Sequence, residues 1–125
     1  MIVAVDAMGG DYAPGEIVKG AVLGSKLYDV DVLLVGDENA IKANIPAQYA
    51  RSSRIMIKHA AEAITMEDQI NAVRTKKDAS VVVAASMVKE GRADAMVSLG
   101  STAAAMAVAT LRFGRIKGID RPAIA

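Results

Sequence analysis

With 125 residues, 53% of them apolar, the chain has the size and hydrophobic content of one packed domain. Fifteen basic and fourteen acidic side chains leave a formal charge of +1, which argues against nonspecific nucleic-acid binding, and three tyrosines, one phenylalanine and no tryptophan offer few platforms for stacked bases. The absence of cysteine removes disulfides, thiolate metal sites and a cysteine nucleophile, and suits the reducing cytoplasm in which we expect the protein to work.

Ile2–Val5 predicts a short buried strand, broken by Gly9-Gly10. No basic stretch precedes it, and Asp6 interrupts the apolar run too early for a secretory signal. Pro14 suits the first turn of a helix, and Ile17, Val18, Ala21, Val22 and Leu23 supply its apolar stripe. Asp31–Val35 predicts a second strand closed by Gly36, and Asp37 is placed to cap a short helix through about Asn44. Ile55–Lys58 predicts a third, weaker strand. Two helices are expected next, from about Met66 to Lys76 and from about Ala79 to Glu90, the second ended by Gly91 in the left-handed conformation. Ala95–Ser98 predicts a fourth strand. Gly100-Ser101-Thr102 then leads into an alanine-rich helix to about Phe113, and Pro122–Ala125 has the character of another strand beginning. The longest apolar stretch, Ala103–Leu111, falls short of the ~20 residues that a membrane-spanning helix needs.

Strands alternating with helices predict an α/β fold in three layers, with a mainly parallel sheet covered on both faces. Such sheets bind ligands beyond the carboxyl ends of their strands. Two of those ends bear glycine-rich loops, Met8–Asp11 and Leu99–Thr102. The incipient last strand leads us to expect that residues 1–125 form the N-terminal part of a longer single domain.

Two phosphate motifs fail. The dinucleotide pattern G-x-G-x-x-G is absent from the first loop. Gly10 and Gly15 have the glycine spacing of a Walker A loop, but Glu16-Ile17 stands where Lys and Ser or Thr are required. Gly9-Gly10 still lets a backbone approach a ligand, or else simply forms a tight turn with Asp11 capping it. Asp6 and Asp11 repel phosphate, and two carboxylates specify no metal site; they are suited to orienting a cation or holding a proton. Ser98-Leu99-Gly100-Ser101-Thr102 is the better anion site, because a helix start offers unpaired N–H groups, although a plain N-cap by Ser101 or Thr102 is the commoner use of these residues. Arg74, Lys76 and Lys77 either wall a cationic pocket or complement a helix C-terminus; Arg74 stands out because a guanidinium grips phosphate in bidentate fashion. Arg112, Arg115, Lys117 and Arg121 against Asp120 form a basic loop suited to an acidic protein partner, to a phosphopantetheine group or, as the commoner case, to plain solvation. His59 has no local acid or nucleophile beside it, and the seven methionines suit core filling.

The stretches AVDAMGGDYAP, AVRTKKDAS, VKEGRADAMVS and GRIKGIDRPAIA, in this order and spacing, resemble the N-terminal part of the phosphate acyltransferase (PlsX) family of bacterial phospholipid synthesis. The resemblance covers Ile2 to Ala125. It implies a fold similar to phosphotransacetylases and the isocitrate and isopropylmalate dehydrogenases. It also implies transfer of a fatty acyl group from acyl carrier protein to inorganic phosphate, giving acyl phosphate. No cofactor and no metal are expected; the partners implied are acyl carrier protein, phosphate and a second copy in a homodimer, with peripheral membrane association and no nucleic acid. On this basis Asp6 and Arg74 are assigned to catalysis, and Gly9, Gly10, Asp11, Lys77, Ser98, Gly100, Ser101 and Thr102 to binding of substrate or phosphate. The chain departs from the family at the fourth strand end, where S-A-G-N-T-G-A is usual and Ser101 and Ala103 replace asparagine and glycine, and at Gln69, where proline is common. The altered loop keeps open a diverged acetyl-phosphate enzyme or a non-catalytic subunit of the same fold. A nicotinamide dehydrogenase is the remaining and weakest alternative.

Overall fold

The computed structural model describes residues 1–123. Four strands, β1 (Ile2–Asp6), β2 (Asp31–Gly36), β3 (Ile55–His59) and β4 (Ala95–Ser98), form one sheet in the order β3-β2-β1-β4. All three pairings are parallel, and Asp6 lies between Val35 and Ser98 in register. The helices are α1 (Gly15–Tyr28), α2 (Glu38–Asn44), α3 (Ala72–Thr75), α4 (Ser80–Lys89) and α5 (Thr102–Phe113), with a 3-10 turn at Ala47–Tyr49.

Side-chain alternation along the strands divides the core in two. Val5, Val32 and Leu34 face α1 and α2, packing with Ile17, Val18, Val22 and Ile41. Ala4 and Val35 point the other way and pack under α4 with Ala84 and Met87. A second cluster on that side joins Val73, Val81, Val82, Ala85, Ala104 and Val108 from α3, α4 and α5. Helices on both faces of a parallel sheet give the three-layer α/β arrangement expected from the alternation of signals.

Local chemistry places most boundaries where the sequence predicts them. The Asp37 carboxylate accepts from the Ala40 N–H at 2.7 Å and starts α2. Gly91, at φ +73°, ends α4 in the left-handed region as its position predicts. One element differs. The helix expected from Met66 to Lys76 shrinks to Ala72–Thr75. The Asp68 carboxylate takes the Thr65 N–H at 2.8 Å, the Thr65 hydroxyl and the Lys76 ammonium at 3.0 Å, so residues 65–68 fold into a side-chain-stabilised turn instead of a first helical turn. Of the expected strand at Pro122–Ala125, Pro122 and Ala123 have no strand conformation, and Ile124 and Ala125 lie outside the described residues. Among the described residues no helix is long and apolar enough to cross a membrane.

Candidate functional site

Going from β1 the chain passes to β2 on one side, and from β3 it crosses to β4 on the other. The strand order therefore reverses between β1 and β4, where doubly wound sheets open a crevice. The loops leaving these two strands are the glycine-rich ones, and they lie against each other. A Cβ placed on Gly9 would stand 2.5 Å from Asp6 Oδ2 and 3.0 Å from the Gly100 nitrogen. One placed on Gly100 would stand 3.0 Å from Gly9 Cα. Gly10 adopts φ +117°, a conformation that side chains rarely tolerate, with the Leu99 carbonyl beside it.

Asp6 sits at the centre of this contact. The two-residue alternation of β1 turns it to the same face as Ala4, beneath the start of α4, and leaves it 4% exposed. Its Oδ1 accepts from the Ser80 hydroxyl at 2.5 Å and from the Met8 N–H at 3.2 Å, and its Oδ2 accepts from the Ser98 hydroxyl at 2.8 Å. Ser98 Oγ in turn accepts from the Gly100 N–H at 3.3 Å. A buried carboxylate left without donors would be costly; here two hydroxyls and an N–H satisfy it, and the positive end of α4 lies on the Ser80 side. No cation binds it among the described residues.

Beyond the two loops lies a cavity of about 340 Å³, lined by Met8, Gly10, Asp11, Ile64, Glu67 and Ser101, among others. The described side chains that line it include no lysine, arginine or histidine. Ser101 caps α5, its Oγ accepting from the Ala104 N–H at 3.2 Å. That leaves the N–H groups of Ser101, Thr102 and Ala103 without acceptors, together with those of Gly10 and Asp11, among the described residues. Unpaired N–H groups, reinforced by the dipole of the twelve-residue α5, are what an oxyanion or phosphate oxygen requires. Asp11 and Glu67 are exposed, so water screens their repulsion of an incoming anion.

Of the residues singled out by sequence, Asp6, Gly9, Gly10, Asp11, Ser98, Gly100, Ser101 and Thr102 gather at this strand end. Arg74 and Lys77 do not join them in the cavity. Arg74 borders a separate groove of about 380 Å³ between α3 and α5, walled by Ile70, Val73, Met106 and Leu111, and Lys77 is exposed just beyond α3. Lys76 is committed to Asp68 at 3.0 Å. His59 accepts the Glu38 N–H at 3.3 Å, an α2 contact away from the glycine loops. Ser80 is the residue that sequence reasoning passed over. The helix α4 is capped at Ala79 with no side-chain bond, and the Ser80 hydroxyl turns to Asp6.

The whole chain, residues 1–125, matches the family model described as fatty acid synthesis protein. The phosphate acyltransferase of Desulfitobacterium hafniense (strain DSM 10664 / DCB-2) is 55% identical over 125 residues, and that of Pelotomaculum thermopropionicum is 53% identical over 126. The phosphate acyltransferase of Gloeothece citriformis is 54% identical over 123 residues. These alignments cover 99%, 100% and 98% of this chain but 37%, 36% and 35% of the relatives, so the chain spans little more than a third of their length. The sequence motifs at the two strand ends and the match over every residue lead to one assignment: the chain belongs to the fatty acid synthesis protein family.

Proposed function

We propose that this chain forms the phosphate-binding part of an acyltransferase that moves a fatty acyl group from acyl carrier protein to inorganic phosphate, yielding acyl phosphate for phospholipid synthesis. The observation that supports it most is the meeting of two glycine loops at the β1–β4 crevice, where Gly10, Asp11 and Ser101, whose N–H groups have no acceptor among the described residues, line one cavity. In this reading a phosphate oxygen forms the new C–O bond to the thioester carbonyl carbon, the C–S bond breaks, and the departing sulfur takes up a proton. Phosphate is already nucleophilic, so no serine or cysteine intermediate is needed; the protein contributes placement and N–H groups for the developing oxyanion. Asp6, satisfied by Ser80, Ser98 and Met8, acts by fixing the loops rather than by touching phosphate. Arg74 and Lys77 contribute a favourable field for anions instead of direct ligands in the cavity. A homodimer working in the cytoplasm, with acyl carrier protein as donor and peripheral contact with membranes, belongs to the same proposal.

The test is to incubate the full-length protein with acyl-acyl carrier protein and phosphate and to trap product with hydroxylamine. Hydroxamate that depends on phosphate is the expected result. Product from acetyl donors alone would favour the acetyl-phosphate alternative, and no product from any donor would favour a non-catalytic subunit.

A further inference from the structure

We infer that Ser80 is a positioning residue for the anion seat, acting through Asp6 on the loop that opens α5; the inference rests on the proposed phosphate-binding role of that loop. Ser80 is 1% exposed and 74 residues from Asp6 in sequence, yet its hydroxyl donates to Asp6 Oδ1 at 2.5 Å. Its own helix does not use that hydroxyl, since α4 begins without a side-chain cap, and its N–H is already bound to the Glu62 carbonyl at 2.9 Å. The path continues through Asp6 Oδ2 to the Ser98 hydroxyl and from Ser98 Oγ to the Gly100 N–H. Because Ser98 Oγ donates to Asp6 and accepts from Gly100, its orientation is fixed from both sides. The Gly100 N–H is thereby taken up by Ser98 Oγ, while the next three N–H groups, on Ser101, Thr102 and Ala103, remain unpaired among the described residues. Gly9, which has no room for a Cβ against Asp6 Oδ2 and the Gly100 nitrogen, transmits the same carboxylate position to the other loop. Three elements that are distant in sequence, the start of α4 and the ends of β1 and β4, thus converge on one carboxylate.

The full-length protein with Ser80→Ala tests this against Ser80→Thr, which keeps a hydroxyl, and Ile41→Val, a buried change on the opposite face of the sheet. Ser98→Ala breaks the same path on the other side of Asp6 and serves if Ser80→Ala does not fold. We expect Ser80→Ala to raise the phosphate KM about tenfold, equivalent to ~1.4 kcal/mol, with the acyl-donor KM unchanged. Ser80→Thr returns the value toward that of the unmodified protein, and Ile41→Val lowers Tm without moving it. The Gly100 amide resonance should shift in Ser80→Ala and stay in place in Ile41→Val. A lowered Tm with an unchanged phosphate KM, or an equal rise in both KM values, would overturn the inference. If the unmodified protein makes no acyl phosphate, the proposed function fails, and the Gly100 amide then decides the link by itself: a shift supports it and an unmoved resonance refutes it.

Discussion

Gly9 and Gly100 face each other at the crevice, and their substitutions are expected to differ from those of glycines elsewhere. Gly9→Ala drives a methyl to 2.5 Å from Asp6 Oδ2, and the same carboxylate is held by two serines, so it has little freedom to yield. Gly10→Ala adds backbone strain at φ +117°, a conformation that costs on the order of 1–3 kcal/mol. Both variants should lose urea stability and phosphate-dependent activity together. Gly24→Ala is the opposite case, because a Cβ there meets nothing within 4 Å and the residue lies inside α1. It should gain up to about 1 kcal/mol from helix propensity, read as a higher urea midpoint with an unchanged slope. Ser101→Ala removes the α5 cap at a cost of ~1 kcal/mol, whereas Ser101→Asn, the residue usual in the family, keeps a capping oxygen and should leave stability nearly unchanged. These contacts explain why the glycines were legible as a close approach while its object was not. The sequence motif announces a bare backbone, but the Ser80 hydroxyl that completes the arrangement is 74 residues away from Asp6 and carries no local signature.

The elements with their own capping and periodic signals were readable, including α2 from Asp37 and the end of α4 at Gly91. The segment before α3 was not, because its structure depends on competition for one carboxylate. The Asp68 pKa is held below its ordinary value, first by the Thr65 N–H and then by the Lys76 ammonium, against a smaller opposing effect of desolvation. A depressed folded-state pKa contributes stability above the unfolded value of about 4, and that stability is lost as pH falls through the folded value. The turn at residues 65–68 should therefore loosen in acid. Limited proteolysis of this segment should quicken below about pH 4 in the unmodified protein, and Asp68→Asn should be cut readily at pH 7 with little further change in acid. Equal cutting of the two proteins at pH 7 would remove Asp68 as the organiser of the turn. The same competition explains why Arg74, expected on a helix of about eleven residues, sits instead on a four-residue helix beside an apolar groove.

For the molecule as a whole, the alternation of strands and helices was sufficient to predict a parallel three-layer sheet, because the central strands β1 and β2 are largely apolar and pack against helices on both faces. Strand order was not predictable from the same pattern. It is the placement of β4 beside β1 that brings Ser98 level with Asp6 and makes one crevice of two glycine loops. In the proposed function, phosphate is held there by N–H groups at the start of α5 and in the first loop. Titration of the full-length protein with inorganic phosphate, followed through its backbone amide resonances, tests this most directly. Saturable shifts at Gly10, Ser101, Thr102 and Ala103, absent on titration with chloride, are the expected result. Shifts confined to the Arg74–Lys77 segment, with the two glycine loops unmoved, would contradict it.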